Sequence, residues 1–107
     1  MKERKSMSKR VVPVKILVLD VLKPHKPSIL ELGRKICEEK SIENANISVY
    51  AVDEKTESIK IVLEGGDIKF DRIAELIESY GAVIHSMDKV VLGKKKVIEV
   101  PSVEEKK

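Results

Sequence analysis

Apolar side chains follow two different periods along this chain, and together they predict six secondary-structure elements. Residues 14–22 are apolar and β-branched almost without interruption, which is typical of a central strand that is buried on both faces. In residues 42–53 and 56–64 apolar side chains alternate with polar ones, so we expect a β-hairpin of two half-buried strands. Residues 82–92 predict a fourth strand.

Two segments with helical spacing lie between these strands. Apolar residues recur every three or four positions in residues 27–40 and again in residues 70–80. Pro27 suits the first position of a helix, where its missing N–H costs nothing, and Gly81 predicts the end of the second helix. Gly33 lies near the apolar face of the first helix, which indicates a close approach of that helix to the sheet.

The order strand, helix, strand, strand, helix, strand predicts an α+β, ferredoxin-like βαββαβ fold. Right-handed crossovers give a four-stranded antiparallel sheet in the order 4-1-3-2 with two helices on one face. We assign this domain to residues 13–93. Residues 1–12 form a basic leader that we expect to be flexible, and residues 94–107 form a charged tail whose apolar run 97–100 either adds an edge strand in an oligomer or is disordered.

Composition narrows the class of protein. The chain has 107 residues, of which 42% are hydrophobic and only 3% aromatic, so one modest aliphatic core is expected, and oligomerisation is one way to stabilise it. Charged residues reach 36% and glutamine is absent, a profile typical of a thermophile. The net charge of +3 comes from the two ends of the chain, because residues 11–93 hold eleven Lys/Arg and fourteen Asp/Glu. The acidic domain argues against a basic nucleic-acid platform.

Cys37 is the only cysteine, which excludes an internal disulfide and a C-x-x-C metal chaperone. Its position in the helical pattern, with no activating base beside it, predicts a small core residue rather than a nucleophile. No apolar run approaches the ~20 residues of a membrane span, so we expect a cytoplasmic protein that does not enter a membrane.

Polar groups in the last strand have no role in filling a core. His85, Ser86 and Asp88 interrupt an otherwise apolar strand. In the predicted topology the first strand ends beside the start of the last one, so Asp20 and the connector residue His25 are expected near them. These five residues are the candidate ligand-binding site.

Strand parity divides these residues between the two faces of the sheet. Ser86 and Asp88 are predicted on the helix side, and His85 and Met87 on the open face with Asp20, although a bulge at Met87 would exchange some of these assignments. The predicted open face is largely apolar and indicates a subunit contact; it comprises Val18, Asp20, Tyr50, Val52, Val62, His85 and Met87.

An aspartate and a histidine on adjacent strands allow three interpretations. Asp20 and His85 could form a hydrogen-bonded pair within a subunit interface, a site for a divalent metal ion, or a pH-sensitive contact. Catalysis is disfavoured because a nucleophile, a base and an orienting group do not occur together. His25 taken alone is typical of a solvated loop residue.

Three stretches resemble an archaeal domain-of-unknown-function family, the one numbered 211. They are Leu19-Asp20-Val21-Leu22-Lys23-Pro24-His25, Asn46-Ile47-Ser48-Val49-Tyr50 and Ile84-His85-Ser86-Met87-Asp88. The resemblance covers residues 14–93 and implies an archaeal source, a ferredoxin-like fold and a ring-like homo-oligomer, but no activity. Lys89 departs from the acidic residue expected after Asp88, which weakens the idea that an acidic cluster binds a cation here.

The sequence therefore predicts a homo-oligomeric binding or regulatory module that holds a small ligand or a metal ion near its subunit interfaces. One alternative is a nucleic-acid-binding ferredoxin-like sheet, for which the open face offers only Tyr50 as a stacking residue. Another is an enzyme with an intersubunit site, for which no reaction can be named.

Overall fold

A computed structural model of the protein describes residues 11–94. The elements are β1 (Val14–Pro24), α1 (Ile29–Cys37), β2 (Asn44–Val52), β3 (Thr56–Glu64), α2 (Phe70–Ser79) and β4 (Val83–Leu92). The four strands form one antiparallel sheet in the order β2-β3-β1-β4. This is the predicted 4-1-3-2 order, and it confirms the α+β, ferredoxin-like fold. The predicted leader and tail fall almost entirely on residues 1–10 and 95–107, which lie outside the described part.

A single aliphatic core lies between the sheet and the two helices. Alternate residues of the two central strands point into it and meet one stripe from each helix, and none of these side chains exceeds 1% exposure. They are Leu17, Leu19, Val21, Ile59, Ile61, Leu63, Leu32, Ile36, Ile73 and Ile77. Because each such side chain contributes about 1.5–3 kcal/mol when fully buried, this layer is the main source of stability in the described domain.

Helix α1 is shorter than the sequence predicts. Ser28 is its N-cap, with Oγ accepting a hydrogen bond from the Glu31 backbone N–H at 3.1 Å, so the helix begins at Ile29. The prediction that Pro27 occupies the first helical position is therefore wrong by two residues. The spacing Ser-x-x-Glu, typical of a helix start, identifies this cap better than the proline does.

Helix α1 lies close to β2 and ends beside it. A Cβ at Gly33 would be 3.3 Å from Cδ1 of Ile47, which confirms the predicted close approach. Cys37 is exposed at the C-terminal end of α1, so its prediction as a core residue is wrong. The physical reason is that the buried stripe of α1 follows Leu32 and Ile36, while Cys37 lies on the flank of the helix that faces the edge strand.

Strand β4 departs twice from a two-residue period, and this overturns the predicted faces. Its pairing with β1 skips Asp88 between Lys89 and Met87, and skips His85 between Ser86 and Ile84. Met87 consequently lies opposite the core residue Leu19 on the helix side. Each bulge shifts the alternation by one residue, which strict parity cannot anticipate.

The open face is therefore more polar than predicted. Ser86 lies opposite Asp20 on this face, and Asp88 reaches Lys60 there. Val52 pairs with Glu57, beyond a register shift at Tyr50, and so leaves the open face. Two of the apolar residues expected on this face, Val52 and Met87, are replaced by a hydroxyl and a carboxylate.

Candidate functional site

A group of polar side chains from all four strands meets on the open face of the sheet. Its members, which we call the open-face cluster, are Asp20, Tyr50, Lys60, Ser86 and Asp88. Asp20 on β1 pairs directly with Lys60 on β3 and with Ser86 on β4, so the strand register itself assembles the centre of the cluster. The sequence-predicted residues Asp20, Ser86 and Asp88 are thereby brought together.

Tyr50 and Asp20 form one half of the cluster. The Tyr50 hydroxyl donates to the Asp20 carboxylate, with Oδ1 at 2.6 Å and Oδ2 at 2.9 Å. This bond to a carboxylate raises the pKa of Tyr50 above its usual value, because ionised tyrosine would lose the bond and face the negative charge. The phenol consequently holds Asp20 in one orientation.

Lys60, Asp88 and Ser86 form the other half. The Lys60 ammonium donates to Asp88 Oδ2 at 2.7 Å, and the Ser86 hydroxyl donates to Asp88 Oδ1 at 2.6 Å. The hydrogen bond from Lys60, reinforced by that from Ser86, lowers the pKa of Asp88, and the Asp88 bond raises the pKa of Lys60. Lys60 Nζ also lies 5.9 Å from the centroid of the Tyr50 ring, and so links the two halves.

Two members of the cluster lie at bulges, which direct their side chains to the open face. Tyr50 is skipped in the pairing of β2 with β3, and Asp88 is skipped in the pairing of β4 with β1. A bulged residue adds a side chain to a face without displacing a paired one, and bulges are over-represented next to active and binding sites. The two bulges therefore crowd more polar groups onto this face than regular strands would.

The cluster presents charges of both signs to solvent. For a small polar molecule, the cluster offers two carboxylates as acceptors and one ammonium as a donor. Its phenol and its hydroxyl can do both. A hard cation could contact the oxygens of Asp20 and Asp88, but Lys60 competes for Asp88. Among residues 11–94 there is no group of three or more His, Cys, Asp or Glu side chains arranged to hold a metal ion.

His85 does not form the expected pair with Asp20. His85 is exposed at a bulge of β4, and the hydrogen bonds of Asp20 within the described residues come from Tyr50. The pairing of β1 with β4 puts Ser86, not His85, opposite Asp20, and the metal pair of Asp20 and His85 stays a prediction. Parity favoured that pair, and the two bulges of β4 removed the basis for it.

A second group of polar side chains stabilises the connector between β1 and α1. Lys23 has no exposed surface, and its ammonium contacts the carbonyl oxygens of Pro24, His25 and Pro27 together with Oε1 of Glu57, the last at 3.0 Å. Buried charges are tolerated when they are paired and fully hydrogen-bonded, and this lysine meets that condition. We call Lys23, His25 and Glu57 the connector anchor.

His25 joins the connector to the β2–β3 turn rather than to β4. Its Nδ1 lies 3.3 Å from Glu57 Oε2, and its Nε2 lies 3.1 and 3.0 Å from the carbonyl oxygens of Asp53 and Glu54. All of these partners are acceptors, so they favour the imidazolium, which donates from both nitrogens. The bond to Glu57 and the Glu54 carbonyl raise the pKa of His25, while Lys23 and then His25 lower the pKa of Glu57.

Three important residues were not singled out from the sequence. Lys23 could have been found, because it continues the helix-side series of Leu17, Leu19 and Val21 by one more step of two. Glu57 and Lys60 could not, because each becomes notable only through its partner on another strand. Their roles depend on register, which the hairpin pattern leaves open by one residue.

Comparison with known proteins identifies the family. The family model for domain-of-unknown-function family 211, described as uncharacterized ArCR, matches residues 15–107. A protein of Methanocaldococcus jannaschii named "Uncharacterized protein MJ0319" is 46% identical over 87 residues, which make up 81% of this chain and 90% of that protein. Neither of the two helices within residues 11–94 has the length and apolar content required to cross a membrane. The resemblance seen in the sequence is confirmed, and the chain belongs to domain-of-unknown-function family 211.

Proposed function

We propose that the protein is a homo-oligomeric binding or regulatory module of the cytoplasm, in which the open-face cluster receives a small polar ligand near a subunit interface. The observation that carries this proposal is the cluster itself. Asp20, Tyr50, Lys60, Ser86 and Asp88 are exposed or half-buried, yet hydrogen bonds across four strands hold them in place. Polar groups fixed before a ligand arrives bind it with little further loss of conformational entropy.

The charge pattern of the cluster favours a ligand that carries both signs. The Asp20 carboxylate can accept from an amino group, and the Lys60 ammonium can donate to a carboxylate or phosphate. A divalent metal ion is the alternative ligand, and it requires Lys60 to release Asp88. The pairing of Lys60 with Asp88 at 2.7 Å therefore makes a zwitterionic small molecule the better match.

Exposed apolar side chains along the two edges of the sheet support self-association. On β4, Met87 is 47% exposed and Val90 is 41% exposed. On the opposite edge, Val52 of β2 is 68% exposed and Leu30 of α1 is 63% exposed. Because the two edges are different surfaces, their contact is head-to-tail, and such contacts close into rings when the rotation between copies permits.

A binding screen tests the ligand half of the proposal. Native mass spectrometry and thermal-shift measurements would survey divalent cations and small zwitterions against the wild type, Asp20→Asn and Asp88→Asn. Glu78→Gln, an exposed substitution at the end of α2, is the matched control. We expect binding that each cluster substitution weakens at least about tenfold, the equivalent of one lost charged hydrogen bond, and that the control retains.

Two results would count against the proposed site. One is a wild type that binds none of the compounds, and the other is binding that survives both cluster substitutions. A single-stranded RNA in the same screen tests the nucleic-acid alternative, since salt-sensitive binding through Tyr50 would favour it.

A further inference from the structure

We infer that residues 97–100 of one copy dock as an added strand on the free edge of β2 of a neighbouring copy, and fill an apolar groove between β2 and α1. This inference rests on the proposed homo-oligomer and specifies how its copies are joined.

The groove has about 400 Å³ of open volume and is lined mostly by apolar groups. Its lining residues are Ile29, Leu30, Gly33, Arg34, Cys37, Ala45 and Ile47. Gly33 keeps the helix close to Ile47 and leaves a depression without a side chain. Leu30, at 63% exposure, stands at one side of this depression with no cover from the described residues. The groove therefore offers an apolar surface to an incoming side chain.

The free edge of β2 can accept a strand beside this groove. β2 is the outermost strand of the sheet, and its pairing with β3 is regular from Asn44 to Val49. β4, the other outer strand, is interrupted by two bulges, which are devices that prevent pairing at an edge. A segment added to β2 would place every second side chain over the groove, as in strand addition by peptides.

The tail has the pattern that this surface requires. In Val97-Ile98-Glu99-Val100, the side chains of Ile98 and Val100 share one face of an extended strand about 7 Å apart, and Pro101 ends the pairing. The family match extends through residue 107, so the tail is part of the unit that defines the family. Residues 1–14 lie outside that match.

Charge favours one direction for the incoming strand. Lys94, Lys95 and Lys96 precede the apolar run. The open cleft at the start of β2 is lined by four carboxylates and three cations, so it carries a small excess of negative charge; they are Glu38, Glu39, Glu43, Asp67, Lys40, Lys69 and Arg72. Placing the lysines beside these carboxylates makes the tail run parallel to β2. Ile98 then lies near Cys37, which ends α1 at this side of the groove.

The length of chain between β4 and the tail indicates that the docked tail comes from a neighbouring copy. The new strand would lie four strand spacings from β4, which is about 19 Å. From Leu92 to Val97 a fully extended chain spans at most about 18 Å, and its own path would have to cross the end of the sheet. A neighbour that presents its β4 edge to β2 delivers its tail directly, because the tail follows Leu92.

The lone native thiol supplies a direct test. Ile98→Cys would place a second thiol on the side of the added strand that covers the groove, whose lining includes Cys37 of the neighbour, and a disulfide between them requires a Cα separation of about 4.4–6.8 Å. After mild oxidation with diamide, we expect a ladder of disulfide-linked multimers of the 12.0 kDa chain on a non-reducing gel. Val97→Cys, whose side chain points to the other face of the added strand, is the matched control and should cross-link at least about fivefold less.

Light scattering with size-exclusion chromatography separates this inference from the proposed function. We expect the full chain to form one closed oligomer, and a chain ended at Lys94 or carrying Ile98→Asp with Val100→Asp to fall to monomers or dimers. A truncated chain that keeps the full-length oligomer, or a disulfide that forms within one chain, overturns the docking of the tail and leaves the oligomer intact. A monomeric full-length protein overturns both.

Discussion

Lys23 shows how one buried charge can organise a connector. Its ammonium contacts three carbonyl oxygens at the end of β1 and in the segment that follows, as well as Glu57, and it has no exposed surface. A charge in this position is costly unless all of its donors are used. We therefore regard Lys23 as the residue that sets the path of the chain from β1 into α1.

Replacing Lys23 by methionine should destabilise the fold by about 3 kcal/mol, because the Glu57 carboxylate and three carbonyls lose their donor. Urea unfolding at fixed protein concentration measures this change. Lys60→Met is the matched control, since Lys60 pairs with Asp88 on the open face, and its effect should be much smaller. Equal losses of stability in the two variants would show that the buried contacts of Lys23 contribute no more than the open-face pair of Lys60.

Two adjacent glycines at the end of β3 differ sharply in what a methyl group would meet. A Cβ on Gly65 would lie 1.9 Å from the backbone oxygen of Ser41, whereas a Cβ on Gly66 would have its nearest contact, the Glu43 carboxylate, at 4.0 Å. Gly65→Ala should therefore cost about 2 kcal/mol or more in free energy of unfolding, and Gly66→Ala less than about 0.5 kcal/mol. Denaturant midpoints of the two variants decide this, and a reversed order would contradict the described packing.

At the scale of elements, the connector after β1 is tied to the β2–β3 turn by a contact that depends on pH. His25 donates to Glu57 and to two turn carbonyls, and these bonds raise its pKa above the ordinary 6.5. A raised pKa in the folded state adds stability that is fully present below pH 6.5 and is lost as the pH rises through the higher folded value. The pKa of Glu57 moves down, so its contribution is present above pH 4.5 and disappears at lower pH.

The variant His25→Gln should accordingly be less stable than wild type near pH 6, and the difference should shrink towards pH 9. Urea midpoints measured across this range test the sign. In a Glu57→Gln background, which removes the carboxylate partner, the effect of His25→Gln should become smaller and depend less on pH. A difference that grows with rising pH would contradict the assigned contact.

The sequence could predict the six elements, but not the bulges and the strand register that assemble the site. The order and type of all six elements follow from their apolar patterns, because each element is nine or more residues long and most of it carries the pattern of its type. The candidate site was only partly predictable. Asp20, Ser86 and Asp88 were identified, but Ser86 and Asp88 were predicted on the wrong face of the sheet. The reason is that a bulge is one extra residue, which leaves no signature in the spacing of apolar residues. Partners such as Lys60 depend on register between distant strands.

At the scale of the whole molecule, the sheet has one face covered by helices, one open face with a polar cluster at its centre, and two edges that carry exposed apolar side chains. The helices cover the first face, and the open-face cluster occupies the second. Apolar residues are exposed on β4 and on the α1–β2 side, so the two edges are the surfaces best suited to a subunit contact. A head-to-tail assembly covers both edges at once and leaves the polar faces accessible.

Mixing two defective variants can distinguish this arrangement from a symmetric dimer. Met87→Glu places a charge on the β4 edge, and Val52→Glu places one on the β2 edge. Each variant alone should be monomeric by light scattering, because every head-to-tail contact needs both edges. In a one-to-one mixture, the intact β2 edge of the first variant meets the intact β4 edge of the second.

The mixture should therefore contain heterodimers but no larger rings, with a mass of two chains. Lys55→Glu, a charge reversal at the exposed β2–β3 turn, should assemble like wild type and controls for the added negative charge. A two-fold interface uses the same patch on both partners, so a patch damaged in one variant would damage every contact that the variant makes. Monomers that persist in the mixture, or one variant that assembles fully by itself, would rule out contact between the two edges.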